Sequence, residues 1–119
     1  LEALAFQIRA ILETISAETD LTVHTLLVGG GVTASDEACQ IQADLLGIPI
    51  VRPAFTETTA WAAALLSGLG AGVWADVADL PATPGSQTEF TPRISAEAAD
   101  RHYAEWQRAV ELVRVWGRG

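Results

Sequence analysis

The sequence contains no lysine, no asparagine and no methionine, and all seven of its basic residues are arginine. Without lysine there is no Schiff-base amine and no phosphate-gripping P-loop lysine. Without methionine, the chain is expected not to begin at a natural start. Cationic residues are scarce altogether: 15 acids against 7 arginines set a formal net charge of -8. A nucleic-acid partner is therefore not expected, because such a groove works by clustered cations that displace counterions. An anionic membrane surface would repel the chain. The one cysteine, Cys39, cannot cross-link the chain to itself. It reads as a small buried residue on a helix, and a reducing, cytoplasmic setting fits it. No basic, apolar and cleavable leader pattern stands at the start. His24 and His102 have no cysteine or acid at metal-ligand spacing. No nucleophile, base and oxyanion set is visible.

Half of the 119 residues are apolar, enough for the core of one domain with a thin stability margin. Leu1, Leu4, Ala5, Ile8, Ile11, Leu12 and Ile15 form one stripe at helical spacing, so a helix is expected from the first residue to Ile15. A chain that opens inside a helix with no cap before it looks cut from something longer. Thr22–Val28 reads as a strand, broken by Gly29, Gly30 and Gly31. A helix is expected from Ser35 to Leu46, capped by Thr33 or Ser35, with Asp36 and Glu37 in its first turn and Gly47 ending it. Ile48–Val51 reads as a second strand, stopped by Pro53. Strand, helix and strand in this order make a βαβ unit, so the two strands should be parallel with a right-handed crossover.

Thr56 is expected to cap a further helix from Thr58 to about Val73 that is almost free of polar side chains. Its length approaches a membrane span. It is rich in alanine and glycine and has no basic flank, so the reading is a packed interior helix. Asp76–Pro92 reads as a linker containing Pro81, Pro84 and Gly85, pinned to the body by Phe90. Asp76 and Asp79 are taken as solvated or capping, and Glu57 as a helix N-terminal acid. Ser95 should cap a last helix with Ala99, Tyr103, Trp106, Val110 and Val113 on one face. The four tryptophans, Trp61, Trp74, Trp106 and Trp116, read as core or interface anchors.

The glycine turn is the strong local signal. Three residues without side chains let main chain approach a ligand, and the helix that follows points free N–H groups and a positive dipole end at it. A tight turn with no ligand is the other reading, and the pattern alone leaves both open. Gly29, Gly31 and Ala34 also fit a dinucleotide fingerprint. In that fingerprint the second strand ends in Arg52 rather than the acid that holds the ribose of NAD, so a 2′-phosphate, and with it NADP, stays possible.

Taken in order, the segments resemble the C-terminal portion of glycerol kinases, in the FGGY carbohydrate kinase family and the larger actin-like ATPase superfamily. The resemblance covers nearly the whole chain. It rests on the opening helix and the glycine turn. It continues through Gln40-x-Gln42-x-Asp44-Leu45-Leu46-Gly47, Arg52-Pro53 and Glu57-Thr58-Thr59-Ala60. Ala62-Ala63-x-Leu65-x-Ser67-Gly68-Leu69, Gly72-Val73-Trp74, Phe90-x-Pro92 and Tyr103-x-x-Trp106-x-x-Ala109-Val110 complete it. Gly29 stands where glycerol kinases usually carry aspartate, and Ser35 where they usually carry asparagine. The triple glycine is more like xylulose and related sugar kinases.

The resemblance implies an α/β fold: a fragment of an RNase H-like (actin-like ATPase) domain with two parallel strands and three to four helices. Residues 1–119 would be the C-terminal portion of the second, ATP-binding domain. It implies nucleotide contacts at Gly30, Gly31 and Ser35. It also implies transfer of the γ-phosphoryl of ATP, with Mg2+, to glycerol by the whole enzyme. The catalytic groups would come from the remainder of the kinase chain, so this piece alone would be inactive. A pentulose kinase of the same family and a non-catalytic nucleotide or NADP module are the alternatives. Two strands are too few for an independent sheet, so a homo-oligomer that covers the sheet edge, or weak stability alone, is expected.

Overall fold

The computed structural model describes residues 1–55, 57–82 and 85–119. Helix α1 (Glu2–Glu18) leads to strand β1 (Leu26–Leu27), a 3-10 turn over Gly31–Ala34, helix α2 (Asp36–Leu46) and strand β2 (Ile50–Pro53). Helix α3 (Thr58–Gly70), a 3-10 turn over Val77–Asp79, strand β3 (Gln87–Phe90) and helix α4 (Ala96–Trp116) follow. The sheet order is β1-β2-β3. β1 and β2 are parallel, with Leu26 opposite Ile50, as the βαβ reading requires.

Two corrections concern the sheet. β1 is shorter than Thr22–Val28, since only Leu26 and Leu27 pair. The segment read as a linker contains β3, which runs antiparallel to β2 with Phe90 opposite Ile50. β3 lies at an edge, so Gln87, Thr88 and Glu89 face solvent and only Phe90 is buried. With one inward side chain it carries almost no apolar alternation, the signal on which strand recognition depends.

α2 is the hub, and it is buried on two sides. One side packs Cys39 and Ala43 onto Ile50 and Phe90 of the sheet, flanked by Leu26, Val28 and Leu46. The other sets Leu45, with Ile41, against Ala5 and Phe6 of α1 and Tyr103 and Trp106 of α4. The helix is delimited as read from the sequence. The Ser35 Oγ accepts from the Ala38 N–H at 3.2 Å, and Gly47 closes the end in the left-handed region at φ 70°. Ser95 caps α4 in the same way, accepting from the Ala98 N–H at 3.2 Å. Arg9 ties the three helices together. It is paired with Glu13 and Asp100, donates to the Leu45 carbonyl at 3.3 Å and lies over the Tyr103 ring.

α3 is a third correction. It ends at Gly70 rather than Val73, and none of its residues is buried among the described residues. It is not an interior helix of this chain, because no described element packs along it. Its attachments are at its ends. Thr58 lies against Gly29, Trp61 meets Phe55 edge-on at 5.7 Å, and the Trp74 ring folds back on Gly68. The cap assigned to Thr56, and Pro84 of the linker, lie outside the described residues. No described helix is long and apolar enough to cross a membrane. Asp76 and Asp79 cap the turn between them, and Cys39 is buried.

Ile50 is fully buried where α2, β2 and β3 meet. Ile50→Ala should cost about 3 kcal/mol in urea unfolding. Leu27→Ala, at a side chain 69 % exposed, should stay within about 0.5 kcal/mol.

Candidate functional site

The strand-to-helix bend from Gly29 to Ser35 is built in three steps. The Val28 N–H bonds to the Val51 carbonyl at 3.0 Å, so the chain leaves the sheet at Gly29. Gly30 then takes φ 99°, ψ 172°, a conformation open to glycine and strained for side-chain residues. Thr33 closes the bend. It is buried, and both its N–H (3.1 Å) and its hydroxyl (2.6 Å) donate to the Gly30 carbonyl.

The Thr33 carbonyl is in turn held by two donors, the Arg52 Nη1 at 2.8 Å and the Cys39 thiol at 3.4 Å. Burial pushes the Cys39 pKa up, which keeps the thiol in the protonated form that can donate. Arg52 also reaches the Ala34 carbonyl at 3.4 Å, pairs with Asp36 at 2.7 Å and lies over the Phe90 ring at 5.1 Å. One guanidinium on β2 thus fastens the bend, the start of α2 and β3. The sequence suggested Arg52 as a 2′-phosphate ligand. In the structure its two Nη nitrogens face the protein's own acceptors, the Thr33 and Ala34 carbonyls and the Asp36 carboxylate.

The structure brings Gly30, Gly31 and Ser35 together on this bend. A Cβ built on Gly30 or on Gly31 meets nothing within 4 Å among the described residues, which leave the bend open rather than plugged. Gly30 is explained by its backbone. Gly31 has neither a positive φ nor a close neighbour among the described residues, so nothing among them accounts for its missing side chain. Ser35 is exposed. Its Oγ is engaged as the α2 cap, which leaves the hydroxyl hydrogen to donate outward. Gly29 differs: a Cβ there would come within 2.9 Å of the Thr58 hydroxyl oxygen. The start of α3 therefore lies close behind the bend. The open side belongs to a cleft of about 460 Å³ lined by Leu4 and Ile8 of α1, Leu26–Val28, the bend and Gln42.

Three residues of the Gln-x-Gln-x-Asp run have separable positions. Gln40 donates to Asp44 at 2.9 Å and to the Thr91 carbonyl at 2.8 Å, and Asp44 accepts from the Arg93 N–H at 2.7 Å. These two residues hold the β3–α4 connection. Gln42, on the other side of the helix, lines the cleft. Sequence reasoning missed Thr33 as the closure of the bend and Arg52 as its clamp. The only sequence signal for the clamp was an arginine ending β2 together with an acid, Asp36, in the first turn of α2.

Residues 1–71 match the family described as the FGGY family of carbohydrate kinases, C-terminal domain. The glycerol kinase of Koribacter versatilis is 41 % identical over 118 residues, covering 98 % of this chain and 23 % of that protein. The glycerol kinase of Symbiobacterium thermophilum is 40 % identical over 116 residues with the same coverage. The crystal structure of Plasmodium falciparum glycerol kinase with ADP superimposes with a TM-score of 0.67 at 24 % identity, over 92 % of this chain and 22 % of that one. That likeness shows the fold. The chain thus spans about a quarter, 23 %, of the length of these curated relatives.

Gly31→Ala should change stability by less than about 0.5 kcal/mol, because its Cβ meets open space. Gly30→Ala should cost about 1–2 kcal/mol, because an L-residue is strained at its φ of 99°. Urea unfolding of the two variants side by side checks the contrast.

Proposed function

We propose a function from one premise: the chain belongs to the FGGY family of carbohydrate kinases. It is the C-terminal portion, residues 1–119, of the second, ATP-binding domain of a glycerol kinase. The parent transfers the γ-phosphoryl of ATP to glycerol and yields glycerol 3-phosphate. This piece contributes nucleotide binding and no catalytic group. The observation that carries the reading is the open bend at Gly30 and Gly31, in a chain about 40 % identical to glycerol kinases along 98 % of its length.

Main chain without side chains can come within hydrogen-bond reach of a phosphate or ribose, and the N-terminus of α2 adds the positive end of its dipole. Asp36 sits in that first turn, but its charge is offset by Arg52 at 2.7 Å. Gly30, Gly31 and Ser35 are the residues that would hold adenosine phosphate. The chemistry the nucleotide supplies is the phosphoryl group itself, and this part of the protein positions it. The described residues hold no cluster of acids, histidines or cysteines fit to bind a metal ion. In this reading Mg2+ is held by the phosphates and by residues of the remaining kinase chain. That remaining chain, or another copy in a homo-oligomer, covers the bare α3, and the enzyme works in the cytoplasm. A pentulose kinase of the same family is the second reading. Gly29 favours it, standing where glycerol kinases usually have aspartate.

The parent enzyme, given ATP and Mg2+, should phosphorylate glycerol and leave D-xylulose essentially untouched. The reverse preference selects the second reading. In the parent, Gly31→Val should raise the KM for ATP about tenfold, equivalent to roughly 1.4 kcal/mol, with the melting temperature unchanged. An unchanged KM would remove the bend from the nucleotide site.

A further inference from the structure

Arg52 acts on the bend in two ways, and each bears on a bound anion. The first is mechanical. Its Nη1 donates to the Thr33 carbonyl at 2.8 Å and to the Ala34 carbonyl at 3.4 Å. Without it, the Thr33 carbonyl keeps the Cys39 thiol at 3.4 Å, a weak donor. Thr33 holds the Gly30 carbonyl through its hydroxyl at 2.6 Å, so a shift of Thr33 moves the main chain of Gly30 and Gly31. The second is electrostatic. Asp36 follows Ser35 in the first turn of α2. A carboxylate there suits the helix dipole, and it competes with any other anion for the same positive end. The Arg52 Nη2 pairs with this carboxylate at 2.7 Å. The Arg52 side chain is 15 % exposed and lies over the Phe90 ring, so its charge is held in place.

Resting on the reading of the bend as part of a nucleotide site, we infer that Arg52 is a positioning residue for ATP. It fixes the main chain of Gly30 and Gly31 through Thr33, and it masks the Asp36 carboxylate from the phosphates, without touching the nucleotide. Both actions need a planar fork with donors in different directions. A lysine can neutralise Asp36 but cannot hold the Thr33 carbonyl at the same time. A neutral side chain loses both actions and leaves a bare carboxylate beside the site.

The test is steady-state kinetics of the full parent enzyme, with ATP and Mg2+ and the hydroxyl substrate it phosphorylates. Arg52→Gln should raise the KM for ATP about tenfold, roughly threefold from the loosened bend and threefold from the bared carboxylate. Its kcat and its KM for the hydroxyl substrate should stay within about twofold. Asp36→Asn alone should not raise the KM for ATP. Added to Arg52→Gln, it should bring that KM back to within about threefold of the wild type. Arg52→Lys, which keeps the charge and loses the fork, should raise it about threefold and carries the test where Arg52→Gln does not fold. An unchanged KM for ATP in Arg52→Lys overturns the hold on the bend. Equal losses in kcat and in both KM values overturn the inference, since damage to the fold alone gives that result. Asp36→Asn without effect in the Arg52→Gln background overturns the masking, and is what a guanidinium that grips the phosphate itself would give. Gly31→Val measured alongside separates this inference from the nucleotide reading. A raised KM for ATP there, with none in the Arg52 variants, sinks the positioning role alone, and a rise in none of them sinks both.

Discussion

The Arg52 guanidinium gripping the Thr33 carbonyl is the contact on which the rest of the molecule turns. Thr33 closes the bend on Gly30 from one side, and Arg52 holds Thr33 from the other, at 2.6 and 2.8 Å. Because Arg52 sits on β2, the position of the bend is set by the parallel register of β1 and β2. Because it also pairs with Asp36, the start of α2 is set by the same group. A planar fork with donors in several directions can do this, and a point charge cannot. The outcome is a bend held from behind, whose two glycines face open space.

α2 carries this order into the core. Its sheet-facing side and its helix-facing side are both apolar, while Gln40 and Asp44 fix the chain that brings Phe90 and α4 into place. The same helix presents Ser35 at the bend and Gln42 in the cleft. Its N-terminal end and its two packed sides therefore do different work, although a helical wheel shows only alternating polar and apolar residues. Bare α3 and the half-paired β1 follow the same logic from the opposite direction. Each is a surface of apolar or backbone groups that the described residues do not cover.

The parts legible in the sequence were those governed by local chemistry. Ser35, Ser95 and Gly47 terminate helices because a hydroxyl can replace a missing helical partner and glycine tolerates the left-handed region. The βαβ order followed from periodicity, and the open glycine bend from three adjacent residues without side chains. The parts not legible depend on partners distant in sequence. β3 exists because Phe90 finds Ile50, and nothing within Gln87–Glu89 announces it. β1 contracts to Leu26–Leu27 because it has one neighbour. Arg52 looked like a ligand-binding cation because its acceptors, Thr33 and Asp36, are brought to it only by the fold. α3 looked like a core helix because its uncharged, alanine-rich composition is that of packed helices, whereas no described element packs along it.

The most direct test is the structure of the parent enzyme with a bound adenine nucleotide. It should show adenosine phosphate against the main chain of Gly30 and Gly31, with Ser35 within hydrogen-bond reach and the Arg52–Thr33 bond intact. A nucleotide bound elsewhere, with the bend filled by protein side chains or pulled open away from Arg52, would contradict it.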